Sequence, residues 1–295
     1  MIFIIGTGRC GSSLIHEIIS RHNNAGFISN IDDRLTFLNL HGTLNNFLFR
    51  TSIGRLTRKG GIRFAPSEAY RLISDKVSHI YEYSCRDLVA DDVSPWLMNR
   101  FQKFFLDRIT AQRKKVFLHK YTGWSRIGFF NRIFPDAKFV HIVRDGRAVA
   151  NSFLQMPWWN GYQGPECWLY GNLSAQYYSE WMASGKSFVT LAAITWKMLV
   201  ESFEKSKVCL DVSQYLEIRY EDFLENPREV LQRMLEFCNL DWSRSFEKHY
   251  IRQMISSARR ESFRRDLSEA QNIEIEKCLS RYLLRYGYPL SYAPT

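Results

Sequence analysis

A chain of 295 residues with 45% hydrophobic side chains can bury a sizeable core, which excludes a largely disordered protein. Its net charge of +10 favours a polyanionic partner, whether nucleic acid, an acidic membrane, a sulfated glycan or a phosphate-rich cofactor. Six cysteines without a C-x-x-C pair or zinc-like spacing point away from a disulfide framework and a metal site, and no apolar run or signal peptide announces a membrane anchor, so a cytoplasmic protein is expected.

In chain order, Ile2-Phe3-Ile4-Ile5 is a short apolar run, Gly6-x-Gly8-x-x-Gly11 follows it, and Leu14, Ile15, Ile18 and Ile19 recur at helical spacing. That predicts strand, loop and helix. The segment 47–66 interleaves Arg50, Arg55, Arg58, Lys59 and Arg63 with Gly54, Gly60 and Gly61, and reads as a mobile basic loop that serves as a lid, a recruiter of anions or a solvated surface. Val116-Phe117-Leu118 predicts a second strand, Trp124 to Ile133 a helix stopped by Pro135, and Phe139 to Val143 a third strand. Residues 156–172 crowd Trp158, Trp159, Tyr162, Trp168 and Tyr170 among glycines and prolines, as an acceptor-stacking loop or a packed core would. A strand at Tyr215 to Arg219 and helices at Leu191 to Ser206, Pro227 to Cys238 and Ser268 to Tyr286 complete the reading. Apolar strands alternating with helices imply an α/β class: a P-loop-like three-layer α/β/α domain over 1–295, with a central parallel sheet, helical insertions and an α-helical C-terminal part.

The glycine loop admits three functional readings. It is a literal dinucleotide fingerprint, with Asp32 and Asp33 about twenty residues on. It also has the spacing of a P-loop, although Ser12 stands where the phosphate-contacting lysine belongs. The third reading is an anion site for a different nucleotide, with Ser12 and Ser13 as hydroxyl donors and Arg9 as a cation within the loop. All three aim backbone N–H groups and a helix N-terminus at a phosphate.

A second phosphate site separates them. Arg144 ends the strand Phe139 to Val143, and Ser152 lies two helical turns later, so both can converge on one phosphate beside the first loop. Two such sites fit a bisphosphorylated nucleotide. Here the sequence resembles the sulfotransferases that use 3′-phosphoadenosine 5′-phosphosulfate (PAPS), in particular the protein-tyrosine and carbohydrate branches, over most of its length. Arg9-Cys10-Gly11-Ser12-Ser13-Leu14 is similar to that family's 5′-phosphosulfate loop, and Phe134 to Phe139 leading into Arg144-Asp145-Gly146-Arg147 and Ser152 to its 3′-phosphate strand and helix. His119-Lys120-Tyr121-Thr122 resembles its lysine-bearing strand end without the usual proline, Arg219-Tyr220-Glu221-Asp222-Phe223 its Tyr-Glu-Asp segment, and Leu284 to Tyr288 its closing Gly-Tyr.

The resemblance implies a sulfuryl transfer from PAPS to a hydroxyl or amino group of a small-molecule, natural-product or saccharide acceptor, with the bisphosphate PAP as product and no metal required. It implies that Gly8, Arg9, Cys10, Gly11, Ser12 and Ser13 hold the 5′-phosphosulfate, that Arg144 and Ser152 hold the 3′-phosphate and that Tyr220 touches the nucleotide. Lys120 would contact the transferring group. For the base, Asp33 and then Asp32 match the neighbourhood of the family's glutamate, and His41 and His119 are rivals; a carboxylate in that role needs partial burial to raise its pKa. An NAD(P)-dependent oxidoreductase and a basic nucleic-acid-binding protein are the alternatives, but the first gives Arg144, Ser152 and Tyr220 no task and the second lacks a reader motif. The expected partner is therefore the acceptor and not nucleic acid, and a homo-oligomer is compatible with the sequence.

Overall fold

In the computed structural model, residues 1–51, 63–251 and 260–291 are described. Ile2–Ile5 (β1) is apolar and buried at all four positions, as a strand covered on both faces must be. It pairs in parallel with Val116–Lys120 (β3) on one side and with Lys138–Val143 (β4) on the other. Ala25–Gly26 (β2) lies beyond β3 and Tyr215–Arg219 (β5) beyond β4, so the all-parallel order is β2-β3-β1-β4-β5. The chain fills one flank of β1 before the other. That reversal opens a crevice at the carboxyl ends of the strands, where open α/β sheets take their ligands.

Strand alternation builds two separate cores. Phe3, Ile5 and Phe139 face the helices Pro95–Gln112 and Ile127–Ile133, while Ile2, Ile4, Leu118, Val140 and Ile142 face the helices Ser12–Ile19 and Pro227–Phe237. The result is the expected α/β/α layering. A third core joins Gly146–Leu154, Phe188–Ser206 and Glu269–Arg285, the last being the helical C-terminal part.

Several boundaries differ from those read in the sequence, each for a local reason. The helix expected from Trp124 starts at Ile127, because Gly123 (φ +97°) and Arg126 (φ +47°) are left-handed. Phe47 to Arg50, assigned to the basic loop, forms the last turn of the helix Thr43–Arg50; residues 52–62 of that loop lie outside the described residues. The 18-residue helix Pro95–Gln112 was overlooked, although Ser94 as cap and Pro95 in the first turn are ordinary start signals. β2, two residues long, carries no legible pattern at all. Among the described residues no helix is long and apolar enough to cross a membrane.

A buried ion cluster fastens the third core to β4. Arg147 bonds both oxygens of Asp145 at 2.7–3.2 Å, Glu276 at 2.5 Å and the carbonyl of Pro289 at 2.9 Å. Glu276 in turn accepts from the Ser291 amide and hydroxyl at 2.8 and 2.6 Å. Burial by itself would raise the Glu276 carboxyl, but the Ser291 and Arg147 contacts outweigh it and hold the group below its ordinary value. A depressed folded-state pKa means stabilisation that is complete above the usual value of 4.5 and is lost as acid titrates the carboxylate below it. Glu276→Ala, which strands a buried guanidinium, is expected to lower the unfolding free energy by about 3–5 kcal/mol in urea titrations at neutral pH. The loss should shrink towards acid pH, where wild type also forfeits the contact.

Candidate active site at the carboxyl edge of the sheet

The loop after β1 is shaped by glycine where no other residue fits. A Cβ on Gly6 would sit 2.5 Å from the Cys10 sulfur and 2.7 Å from the Ile142 carbonyl, and one on Gly11 would fall 2.1 Å from the Tyr220 ring. Gly8, Arg9 and Gly11 are left-handed, with φ of +83°, +56° and +88°. Such a run of turns directs backbone N–H groups inward, and the helix Ser12–Ile19 begins at once with its first amides lacking intrahelical partners. This is an anion cradle. The Cys10 side chain is fully buried in the core beneath it, so Cys10 has only its backbone to offer a ligand.

The loop after β4 closes on the first. Arg144, at the strand's carboxyl end, donates from Nη1 to the Arg9 carbonyl at 2.8 Å, while Arg9 Nε donates to the Ser152 hydroxyl at 2.8 Å. The Arg144 guanidinium lies 5.3 Å over the Tyr220 ring, and that ring covers Gly11. Residues from four stretches of sequence thus form one cationic cluster. Burial raises the Tyr220 hydroxyl, with Arg144 opposing. Glu221, raised by its own burial, accepts from the Asp145 amide at 3.1 Å and the Tyr288 hydroxyl at 2.7 Å, bracing the cluster from behind.

At the end of β3, Lys120 Nζ donates to the Ser13 hydroxyl at 2.9 Å and to the carboxylate of Glu68. Glu68 also accepts from the Thr122 hydroxyl at 3.0 Å, and the Tyr70 hydroxyl donates to the Thr122 carbonyl at 3.0 Å and accepts from its amide at 3.2 Å. The Glu68 side chain keeps 23% of its surface exposed and that of Lys120 only 7%. The carboxylate therefore stands at the mouth and the lysine behind it. Sequence reasoning missed Glu68: it lies in a short irregular stretch whose spacing marks no element, and only the fold carries it to β3.

The two aspartates singled out in the sequence are engaged elsewhere. Asp32 is buried in a capping box, accepting from the Ser29 amide and hydroxyl at 2.8 and 2.7 Å and from the Asn45 amide at 2.8 Å. Asp33 accepts from the Leu72 amide at 3.0 Å and the Ser67 hydroxyl at 3.1 Å, one on each oxygen. Burial raises both carboxyls, as the sequence reading required of a base, yet Asp32 is engaged by Ser29 and Asn45, and Asp33 by Ser67 and Leu72 on either side of Glu68. His119 is fully buried, its Nε2 2.9 Å from the Tyr81 hydroxyl, and burial drives its pKa down to about 3. His41 is exposed and its carbonyl accepts from Gln112 at 2.7 Å.

The aromatic segment divides. Trp159, Trp168 and Tyr170 are buried in the third core, whereas Trp158 and Tyr162 remain 40% and 57% exposed. Phe153, edge-on to Trp158, reaches within 3.9 Å of a Cβ built on Gly8, and Thr122 within 3.8 Å. Phe153 thus packs against Gly8 from the buried core, with the half-exposed Trp158 at its edge. Among the described residues no group of His, Cys, Asp or Glu side chains is placed to hold a metal ion.

A family model described as "Sulfotransferase family" matches residues 2–244. The chain is 24% identical over 213 residues to an omega-hydroxy-beta-dihydromenaquinone-9 sulfotransferase of Mycobacterium bovis, an alignment covering 70% of this chain and 50% of that protein. The chain spans half or less of the length of the curated relatives it matches. Similar solved structures include the sulfotransferase domain of the Synechococcus PCC 7002 olefin synthase, with a TM-score of 0.55 and 16% identity over 98% of this chain and 95% of that one. The Mycobacterium avium sulfotransferase STF9 gives the same TM-score at 14% identity over 99% of this chain and 78% of its own.

The capping geometry makes a separable prediction. Asp32→Ala leaves the Ser29 amide, the Ser29 hydroxyl and the Asn45 amide without their acceptor, and should lower the unfolding free energy by about 2–4 kcal/mol in denaturant titrations. Wild-type stability in that variant would return Asp32 to the list of reacting groups.

Proposed function

The chain belongs to the sulfotransferase family, and from that premise we propose that it transfers the sulfuryl group of PAPS to a hydroxyl or amino group of a small-molecule, natural-product or saccharide acceptor. The observation that carries this reading is the pair of hydrogen bonds tying Arg144 to Arg9 and Arg9 to Ser152, which merges two anion-holding loops into one clamp. A donor with a phosphosulfate at one end and a phosphate at the other needs two such loops at a fixed separation. The cradle of Gly8 to Ser13 takes the 5′ end, Arg144 with Ser152 the 3′-phosphate, and Tyr220 the nucleotide between them. A nicotinamide dinucleotide fits less well, because the acid expected beside its ribose follows β2, which β3 separates from β1.

The acceptor enters past the half-exposed Trp158, and its proton passes to Glu68 as its oxygen or nitrogen bonds to the sulfur. The bond from sulfur to the bridging oxygen breaks, and PAP leaves with the electron pair. Lys120, already bonded to Ser13, exchanges its contact with Glu68 for the departing oxygen and neutralises the charge that develops there. Here the proton goes to Glu68 rather than to Asp33, whose oxygens hold Ser67 and Leu72, or Asp32, whose oxygens hold Ser29 and Asn45. The half-exposed Trp158 suits an apolar acceptor of the kind named for the mycobacterial relative, a hydroxylated menaquinone. Six free cysteines accord with a reducing, cytoplasmic setting.

Calorimetric titration should show PAP binding well ahead of NAD(H) and NADP(H); the reverse order removes the assignment. Arg144→Ala should weaken PAP by about 1.5–3 kcal/mol without unfolding the chain. Glu68→Gln should retain PAP affinity and lose roughly a hundredfold or more in turnover, read as PAP release and acceptor mass gain across a panel of acceptor classes. If Asp33→Asn instead produced that loss and Glu68→Gln did not, the proton would belong to Asp33.

A further inference from the structure

The helix Thr43–Arg50 buries Phe49 together with two asparagines yet turns Leu44 and Phe47 outward, unlike an ordinary surface helix whose apolar stripe faces in. Asn45 and Asn46 are buried, bonded to Asp32 at 2.8 Å and to Gln112 at 2.6 Å, while Leu44 and Phe47 point outward with 66% and 64% exposure. The turn Thr36–Leu38 just before it displays Phe37 at 74% and Leu38 at 50%. Gln112 fixes this arrangement by bonding the Phe27 and His41 carbonyls at 3.0 and 2.7 Å. Four large apolar side chains are thus held out by a polar network that leaves them nowhere to fold back.

Cations flank them. Arg113, Lys114 and Lys115 are all exposed and follow Gln112 directly, and the Thr43 hydroxyl donates to the Ala111 carbonyl at 3.4 Å. The neighbouring acids Asp75 and Asp107 are neutralised by Lys76 at 2.9 Å and Lys103 at 3.1 Å. Protruding apolar groups beside unneutralised cations suit an anionic lipid surface, where the first enter the acyl boundary and the second meet headgroups. A two-fold contact between copies through this face would instead press the two basic triplets together.

We propose that the face formed by Phe37, Leu38, Leu44 and Phe47 docks on anionic membranes, with Arg113, Lys114 and Lys115 on the headgroups. The docked edge adjoins the site, because Asp33, three residues before Thr36, holds Ser67 and Leu72 on either side of Glu68. The proposal does not depend on the reaction, so its test uses no turnover. The full chain is sedimented with vesicles of phosphatidylcholine alone or mixed with phosphatidylglycerol, at low and high salt. It should pellet with the anionic vesicles, less so at high salt, and the F37S/F47S variant should bind about tenfold more weakly. Should that variant fold poorly by circular dichroism, R113E/K115E, which leaves the apolar groups intact, should show the same loss. Wild type left in the supernatant, equal binding to neutral vesicles, or undiminished binding by both variants overturns the proposal. So does a wild-type dimer that F37S/F47S dissociates, which would make the face a contact between copies.

Discussion

Arg9 is held at both ends: its carbonyl by the Arg144 guanidinium and its own guanidinium by the Ser152 hydroxyl. The two bonds join loops that are 135 residues apart in sequence and follow adjacent strands. Because Arg9 has a left-handed backbone between Gly8 and the turn to Gly11, its carbonyl and side chain reach different partners without unwinding the helix behind it. Moving either loop would therefore move the other. The clustering of so many cations also repels, and the surroundings absorb that cost in stages. The Tyr220 ring sits under Arg144, Glu221 braces the backbone at Asp145, and Asp145 with Glu276 takes up the next arginine, Arg147.

Most of this was legible in the sequence because it lies in strands and the residues that end them. An apolar run followed by glycines, and another followed by Arg144-Asp145-Gly146-Arg147, locate two strand ends and their charges without knowledge of sheet order. Sheet order was not legible: the two-residue β2 has no period, and nothing local says that β1 lies between β3 and β4. Glu68 was missed for a related reason. Its place at the site comes from a long-range contact with Lys120, 52 residues away, and the residues around it spell neither helix nor strand.

The aspartates pose the opposite problem. A pair of acids near a glycine loop invites a catalytic reading, and burial does raise both carboxyls. Yet Ser29 three residues before Asp32 is the signature of a helix start, and the bonds it forms consume the carboxylate. A raised pKa in a buried acid reports desolvation whether the group reacts or merely caps. What separates the two cases is where the lone pairs point, which is a property of the fold.

Glu68 and Lys120 illustrate why position at the mouth matters more than burial. Glu68 stands at the mouth with Lys120 nearly buried behind it, and each becomes available once a ligand supplies a new partner. In the proposed reaction that partner is, for Lys120, anionic oxygen arriving in the cradle beside Ser13 and, for Glu68, a proton. On that proposal the ion pair is a resting arrangement in which each group satisfies the other until both are needed, while Asp33 holds Ser67 and Leu72 on either side of Glu68. Such a site calls for rigidity in its supports and exchangeability at its rim: Asp33, Tyr70 and Glu221 each bond a backbone amide, whereas the side chains of Glu68 and Lys120 bond other side chains.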